Sequence, residues 1–538
     1  MQHSHDDPDA NEPLIGRSSS SLSREDADTN NQPAYTLSFR DASPVIRFLT
    51  CSAGISGLLF GFDTGVISST LVSIGSDLSN RPLTTPDKAL VTAITSLLAL
   101  ISAPTTGFFA DRFGRKSVIL VPAILFTVGA ITQSLANYVW TMAAGRALVG
   151  AAVGVASGAV PLYITELAPA ELRGRLVTVQ SLFITGGQVV AYLIGWIFAS
   201  WPSGWRWMVG LGAFPALVQL GLMFWMPETP RWLLQTGQDE KARAVLNKVY
   251  ANVPKAERNV LVQGVLSSVQ DELREENKTG SKGNFHDTAQ ALIGIPGNRR
   301  ALIIACMLQG LQQLCGFNSL MYFSATIFAL VGFTSPIGTS LSVALTNFVF
   351  TLVAFAFIDT VGRRNILLRS IPFMVFGLLA CASAFLFINV GDSQIVDDSG
   401  AGIWSIVLLL SMVFYVAAYA VGLGTVPWQQ SELFPLRVRS VGSGLATSTN
   451  WSSNFVVGMS FLPLMNYLGP STTFTLYALV CVVGWIVIYK IYPETAGLEL
   501  EGISQLLKDG WSVTESIEGF HERRKRVELE DRQRVFST

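Results

Sequence analysis

Apolar residues in this chain are gathered into twelve long blocks, at about 46–70, 88–110, 117–136, 140–164, 176–200, 205–226, 300–328, 338–358, 366–390, 402–427, 441–466 and 472–492. Each is near or above the roughly 20 residues that a helix needs to cross a bilayer. Backbone N–H and C=O groups find no partner in lipid, so these blocks are predicted to be helices that satisfy their own hydrogen bonds. A polar stretch at 227–299 separates six blocks from six, and its pattern ("QDEKARAVLNKVY") predicts amphipathic surface helices. The Ser-rich, acidic residues 1–44 predict a disordered tail, and residues 493–538 a second tail. The expected organisation is a six-helix half at 45–226, a linker at 227–299 and a second six-helix half at 300–492.

Composition agrees with a membrane chain. Half of the 538 residues are hydrophobic and 14% are charged, against about 25% charged in an ordinary soluble domain. Too few charges remain to cover a soluble helical core of this size. A net charge of −1 argues against a nucleic-acid partner, because phosphate binding needs a basic surface. The five cysteines, at 51, 306, 315, 381 and 481, all fall inside apolar blocks without metal-ligand spacing, so they read as small hydrophobes, and neither a metal nor a cofactor is expected. The four histidines lie outside the blocks, and no "HExxH", "GxSxG" or phosphate-loop motif occurs. An enzyme, or a pump driven by ATP, is not expected.

Lys and Arg cluster in the loops after blocks two, four, eight and ten, whereas the loop near 391–402 carries Asp392, Asp397 and Asp398 and no base. The positive-inside rule then places both termini in the cytoplasm. No cleavable signal peptide is expected, and the sequons at Asn277 and Asn450 should stay unused.

The two halves echo each other. "DRFGRK" from Asp111 recurs as "DTVGRR" from Asp359, "ELAPAELR" from Glu166 as "ELFPLRVR" from Glu432, and "PET" stands at 227 and 493. The last two pairs share one offset: 432 − 166 and 493 − 227 are both 266. Two six-span repeats in a membrane point to a transporter with its site between them near the midplane. Gly114 would make a tight turn beside Asp111, Arg112 and Arg115. Together with Glu166 and Arg173, and with Asp359, Arg363, Glu432 and Arg439 in the second half, these charges would form ion pairs that latch the cytoplasmic side and break on opening.

One charge stands apart. Asp63, in "GLLFGFDTGVISS", interrupts the first block, and Arg146 is the only base in the fourth. A charge at mid-membrane costs roughly 2.5–3.5 kcal/mol even on the lenient insertion scale, so such residues face a cavity, have a partner and act. Burial opposes ionisation of a carboxyl and a nearby cation favours it, so Asp63 can gain and lose a proton as Arg146 moves. A static ion pair between two helices is the plainer alternative.

The other polar intruders are uncharged amides: Gln188, Gln312, Gln313, Asn318, Asn347 and Asn450. An amide both donates and accepts without charge, which suits the hydroxyls of a neutral polyol. Gly316 would loosen the seventh span, Gly422, Gly424 and Pro427 mark a bend, and Trp428 can lay its ring on the C–H face of a cyclic polyol. Amides that merely bond neighbouring helices would contribute about 1 kcal/mol each. Gly150, Gly154 and Gly158, at four-residue spacing, read as helix packing.

From about 46 to 505 the chain resembles the sugar porter family of the major facilitator superfamily, through "GFDTGVIS", "DRFGRK", "GRALVG", "PLYITELAPAELRG", "PETPRWL", "QQLCGFN", "DTVGRR", "VPWQQSELFP" and "YPETAGLELE". A narrower resemblance, carried by "GLGTVPWQQSELFP" and "GFNSLMYFSATIF", is to fungal myo-inositol transporters. Ala496 departs from the family, which usually has Lys after "PET". The resemblance implies an all-α membrane protein with the twelve-helix major facilitator fold, alternating access, pairing of Asp63 with Arg146, and substrate contact at the amide positions and Trp428. The function it implies is proton-coupled symport of myo-inositol, with a hexose or pentose symporter, or a nutrient receptor that does not transport, as alternatives. One proton moving down about 100 mV and one pH unit releases roughly 2.3 plus 1.4 kcal/mol, which supports accumulation of about several hundred-fold. The expected setting is a monomer in the plasma membrane, with "NEPLIG" at 11–16 allowing a vacuolar address and "ERRKR" at 522–526 either attracted to anionic lipid or simply solvated.

Overall fold

The protein is described by a computed structural model, over residues 43–278, 285–388, 402–496, 498 and 500–537. The N-terminal tail with "NEPLIG" and the acidic loop at 391–401 lie outside the described residues, as do the side chains of Asp359 and Trp428.

Helix α1 (Pro44–Ser73) starts where Ser43 accepts the N–H of Ile46 and Pro44 takes the first helical position. Helix α2 (Thr85–Ser102) opens on a capping box of Thr84 and Asp87. Pro104 then breaks the second span with a 3-10 turn before α3 (Thr106–Phe113). Next come α4 (Arg115–Ser134), α5 (Val139–Leu167) and α6 (Ala170–Phe198), and a sixth span split into α7 (Gly204–Gly210) and α8 (Ala213–Trp225). Four helices outside the spans follow: α9 (Pro230–Gln235), α10 (Asp239–Val249), α11 (Lys255–Lys278) and α12 (Phe285–Gly294).

The seventh span is shared by α13 (Pro296–Leu314) and α14 (Phe317–Leu330). It breaks at Gly316, whose φ of +89° no continuous helix can hold. After it run α15 (Pro336–Val361), α16 (Arg363–Phe387), α17 (Ile403–Val421), a 3-10 segment at Val426–Leu433, α18 (Leu436–Tyr467) and α19 (Pro470–Ile491). Helices α20 (Leu500–Asp509) and α21 (Val513–Ser537) follow.

Among the described residues, eleven helical stretches are long and apolar enough to cross a membrane. The twelfth span is α18, 32 residues long. Its polar positions lower its hydropathy because they face protein: α18 packs on α2 and α13. Side chains such as Phe108, Phe224, Phe376 and Leu479 are exposed on the outer surface, as an acyl-chain solvent requires. Exposed Trp140, Trp201, Trp225 and Tyr467 sit at span ends, where amphipathic rings meet the headgroups.

Small residues let the helices close up. A Cβ on Gly61 of α1 would lie 1.8 Å from the Ile184 carbonyl oxygen of α6, and one on Gly150 of α5 would lie 2.3 Å from the Thr95 carbonyl of α2. Gly154 and Gly158 continue the second seam against Ala99 and Thr106. Contacts between the first six spans and the last six run along α1 with α14, α2 with α18, and α6 with α15. Polar side chains on these six helices are the ones that can meet between the halves.

Candidate functional site

Gly57, Gly61 and Gly65 turn one face of α1 to α6. Asp63, two residues on from Gly61, is rotated by about 200° and points to α5. There its carboxylate pairs with the Arg146 guanidinium, and the two side chains are only 8% and 1% exposed. Arg146 is held on a second side, since its Nε donates to the Val91 carbonyl of α2 at 3.1 Å. Its own carbonyl accepts from Thr95 Oγ1 at 3.3 Å. Three helices thus meet at one buried ion pair.

On the other side of the α2–α18 seam lies a run of amides. Gln309, Gln312 and Gln313 share one face of α13 by their three- and four-residue spacing. Gln309 and Gln312 donate to the carbonyls of Pro427 and Leu423 at 2.9 Å each. Asn450 of α18 donates to Gln309 Oε1 at 2.5 Å and to Gln312 Oε1 at 2.9 Å, and accepts from Gln313 at 3.1 Å. Gln313 Oε1 accepts from Asn318 and, at 3.1 Å, from Asn454. Asn454 Oδ1 accepts from Tyr322 at 3.1 Å and from Ser96 of α2 at 2.8 Å. A second inter-half contact joins Asn347 to Gln188 at 2.8 Å. Phe60 and Trp451 bring their rings to 5.6 Å across the same interface.

The candidates for proton coupling and substrate contact therefore lie beside the contacts between the halves, with the side chain of Trp428 outside the described residues. Four network members, Gln309, Asn454, Ser96 and Tyr322, were not singled out from the sequence. A signal existed for two of them: Gln309 precedes Gln312 and Gln313 by three and four residues, and Asn454 follows Asn450 by four. Ser96 and Tyr322 carry no sequence signal that separates them from other span residues.

Toward the ends of α1 and α6 away from the termini, the halves are tied by a buried knot. Tyr192 of α6 donates to the Met321 carbonyl of α14 and lies 2.9 Å from Ser324 Oγ. Ser68 of α1 lies 3.2 Å from the same Ser324 and accepts the Ala325 N–H at 3.1 Å. Ser68, Tyr192 and Ser324 are all inaccessible.

The face bearing the termini is organised differently. Arg115 meets Glu166 at 2.9 Å and Asp111 at 3.0 Å, and Arg363 meets Glu432. Each Arg–Glu pair lies inside its own half, Arg115–Glu166 in the first and Arg363–Glu432 in the second. Arg173 and Arg439 each donate to the carbonyl five residues earlier, that of Ala168 and of Phe434. Arg112 is exposed beside the Phe113 ring, 5.7 Å from its centroid. The "PET" glutamates, which the sequence left without a role, cap helices. Glu228 accepts the N–H groups of Arg115 and Lys116, and Glu494 those of Arg363 and Arg364. Burial pushes the Glu228 carboxyl above its usual range, partly offset by the N–H bonds of Thr229, Lys116 and Arg115. Gly114 and Gly362, at φ +88° and +92°, make room for those two caps.

A model of the family described as "Sugar (and other) transporter" matches residues 49–507. The chain belongs to that family. It is a multi-pass membrane transporter of the sugar and polyol class and not an enzyme. Among its sugar transporter relatives, Myo-inositol transporter 2 of Schizosaccharomyces pombe is 45% identical over 466 residues, covering 87% of this chain and 82% of the relative. Myo-inositol transporter 1 of Candida albicans is 44% identical, with 90% and 87% covered. Myo-inositol transporter 1 of Saccharomyces cerevisiae is 43% identical, with 88% and 81% covered. A solved inward open structure of the xylose transporter XylE from E. coli superposes with a TM-score of 0.69 at 27% identity, covering 86% of this chain and 99% of that one. The proton:xylose symporter XylE bound to 6-bromo-6-deoxy-D-glucose gives 0.68 at 28% identity, with the same coverage. These likenesses bear out the all-helical major facilitator fold and the membership expected from the motifs.

Proposed function

We propose that this chain carries myo-inositol together with a proton, by alternating access, across the plasma membrane, and that it works as a monomer. The observation that carries the proposal is the juxtaposition of one isolated buried carboxylate–guanidinium pair, Asp63 with Arg146, and a site built from neutral amides. The amides suit a cargo of hydroxyls without charge. The carboxylate supplies a titratable group that the cargo does not need, which is the signature of a coupling ion site. The choice of myo-inositol follows the names of the three fungal relatives. Gln188, Gln312, Gln313, Asn318, Asn347, Asn450 and Trp428 are assigned to the substrate, and the charged groups on the face bearing the termini to a cytoplasmic gate.

A pentose or hexose is the second reading, favoured by the likeness to a proton:xylose symporter. Uptake of labelled myo-inositol in a transport-deficient host, competed by inositol, glucose and xylose with and without a protonophore, separates these. Inositol should compete best, and the protonophore should abolish accumulation. Accumulation that survives the protonophore defeats proton coupling, and stronger competition by xylose or glucose defeats the inositol assignment. Substitution Asp63→Asn should abolish uphill uptake while leaving exchange. A vacuolar address, carried by "NEPLIG", is tested by tagging the full chain and locating it in the cell.

A further inference from the structure

The amide run has a direction. The carbonyls of Leu423 and Pro427 lie beyond the end of α17 at Val421 and can only accept. They therefore take the amide N–H groups of Gln312 and Gln309. Each glutamine must then turn its oxygen to Asn450 Nδ2. Asn450 is left offering its oxygen to Gln313, Gln313 its oxygen to Asn454, and Asn454 its oxygen to hydroxyl donors. Two donors arrive there, Tyr322 from the same half and Ser96 from the other. From Ser96 through Asn454, Gln313 and Asn450 to Gln309 and Gln312, each bond points from α2 toward the bend after α17, and Tyr322 and Asn318 of α14 join as side donors.

Ser96 is 2% exposed, and its neighbours on α2 hold the ion pair. Thr95, one residue earlier, donates to the Arg146 carbonyl. Val91, one turn earlier again, accepts the Arg146 Nε–H. A single stretch of α2 thus grips the partner of Asp63 and, through Ser96, the last acceptor of the amide run.

We propose that Ser96 is a positioning residue for coupling, resting on the reading of Asp63 as the proton carrier: its hydroxyl ties the substrate amides to the turn of α2 that holds Arg146. A polyol hydroxyl that engages Gln313 or Asn454 competes within a run whose donor order is fixed from its far end. The Ser96–Asn454 bond is the member that spans the two halves, so it is the one that yields when they part. Its loss frees the Val91–Ser96 turn, and with it the guanidinium facing Asp63. Removing the hydroxyl leaves no buried acceptor stranded, because Asn454 keeps Tyr322 as a donor.

The test uses the full chain in vesicles with labelled myo-inositol, comparing accumulation driven by a pH gradient with exchange at equilibrium. The wild type, Ser96→Ala, Ser96→Thr and Asp63→Asn are measured side by side. In Ser96→Ala the ratio of driven accumulation to exchange should fall about fivefold, the factor set by one neutral hydrogen bond, and the pH dependence of exchange should shift. Ser96→Thr, which keeps the hydroxyl, should restore both. A wild-type ratio and pH profile in Ser96→Ala overturns the inference, as does failure of Ser96→Thr to restore them. If Asp63→Asn still accumulates against the gradient, the underlying reading of proton coupling fails instead.

Discussion

Gly114 and Gly362 show what a single position can enforce. Both hold φ near +90°, and a Cβ there would lie 2.4 Å from Glu228 Oε2 and 2.5 Å from Glu494 Oε2. Alanine at either site meets an unfavourable backbone region and a carboxylate at once. Gly362→Ala is expected to cost about 1–3 kcal/mol, read as a lower melting temperature of the detergent-solubilised chain; Gly114→Ala should behave alike. Glu228 makes a pH prediction. Burial raises its folded pKa above the unfolded value, so the folded state holds the proton more tightly. Its contribution to stability is present below the ordinary carboxylate range and is lost as pH rises through the raised value. In Glu228→Gln that fall should disappear. Melting curves of the two proteins from about pH 4 to pH 7 should diverge upward in pH, and parallel curves would refute this.

At the scale of elements, the broken spans do most of the positioning. The seventh span stops at Leu314 and restarts at Phe317, and the freed Cys315 carbonyl accepts from Tyr415 at 2.9 Å. The tenth gives way after Val421, which leaves the carbonyls that orient Gln309 and Gln312. Helix α14 is also the element gripped from the other half. Tyr192 takes the Met321 carbonyl while Ser68 takes the Ala325 N–H, so side chains enter the backbone ladder one turn apart. Loss of the tyrosine hydroxyl should weaken this closure. Tyr192→Phe is expected to move the conformational equilibrium about five- to tenfold toward opening on that side. A cysteine placed beside Ser324 should then react faster with an impermeant thiol reagent added from the face opposite the termini; an unchanged rate would show that the knot does not close the path.

For the whole molecule, the arrangement is two sets of six spans that touch chiefly along α1 with α14, α2 with α18, and α6 with α15. The ion pairs Arg115–Glu166 and Arg363–Glu432 and the two glutamate caps fall within a set, so they stiffen each half as a body that can rock. Among the described residues the side-chain bonds between halves are few: Ser96 with Asn454, Gln188 with Asn347, Thr85 with Asn466, and the knot of Tyr192 and Ser68. Rocking then exchanges a small number of bonds of about 1 kcal/mol each, an amount that binding one polyol and one proton can move. Adding myo-inositol to unbuffered cells that express the chain should alkalinise the medium, with one proton taken up per polyol. A receptor that binds without transport would leave the pH still, and Asp63→Asn should do the same.

The spans are legible along the chain as the apolar background, and the doubled landmarks, the lone Asp63 with Arg146 and the amide residues as polar or conformational exceptions within or beside it. The sequence did not reveal Ser96, Tyr322 or Tyr192, which look like ordinary span residues until a neighbouring helix supplies their partners. Nor did it give the role of the "PET" glutamates, which depends on a helix N-terminus more than a hundred residues away in sequence, as between Arg115 and Glu228. Only the folded arrangement shows that the landmark arginines pair inside their own halves, and that Asn454, Gln313, Asn450, Gln312 and Gln309 donate in one direction. The physical reason is that a residue's chemistry is local, whereas the acceptor that orients it is provided by whichever backbone the fold leaves unpaired beside it.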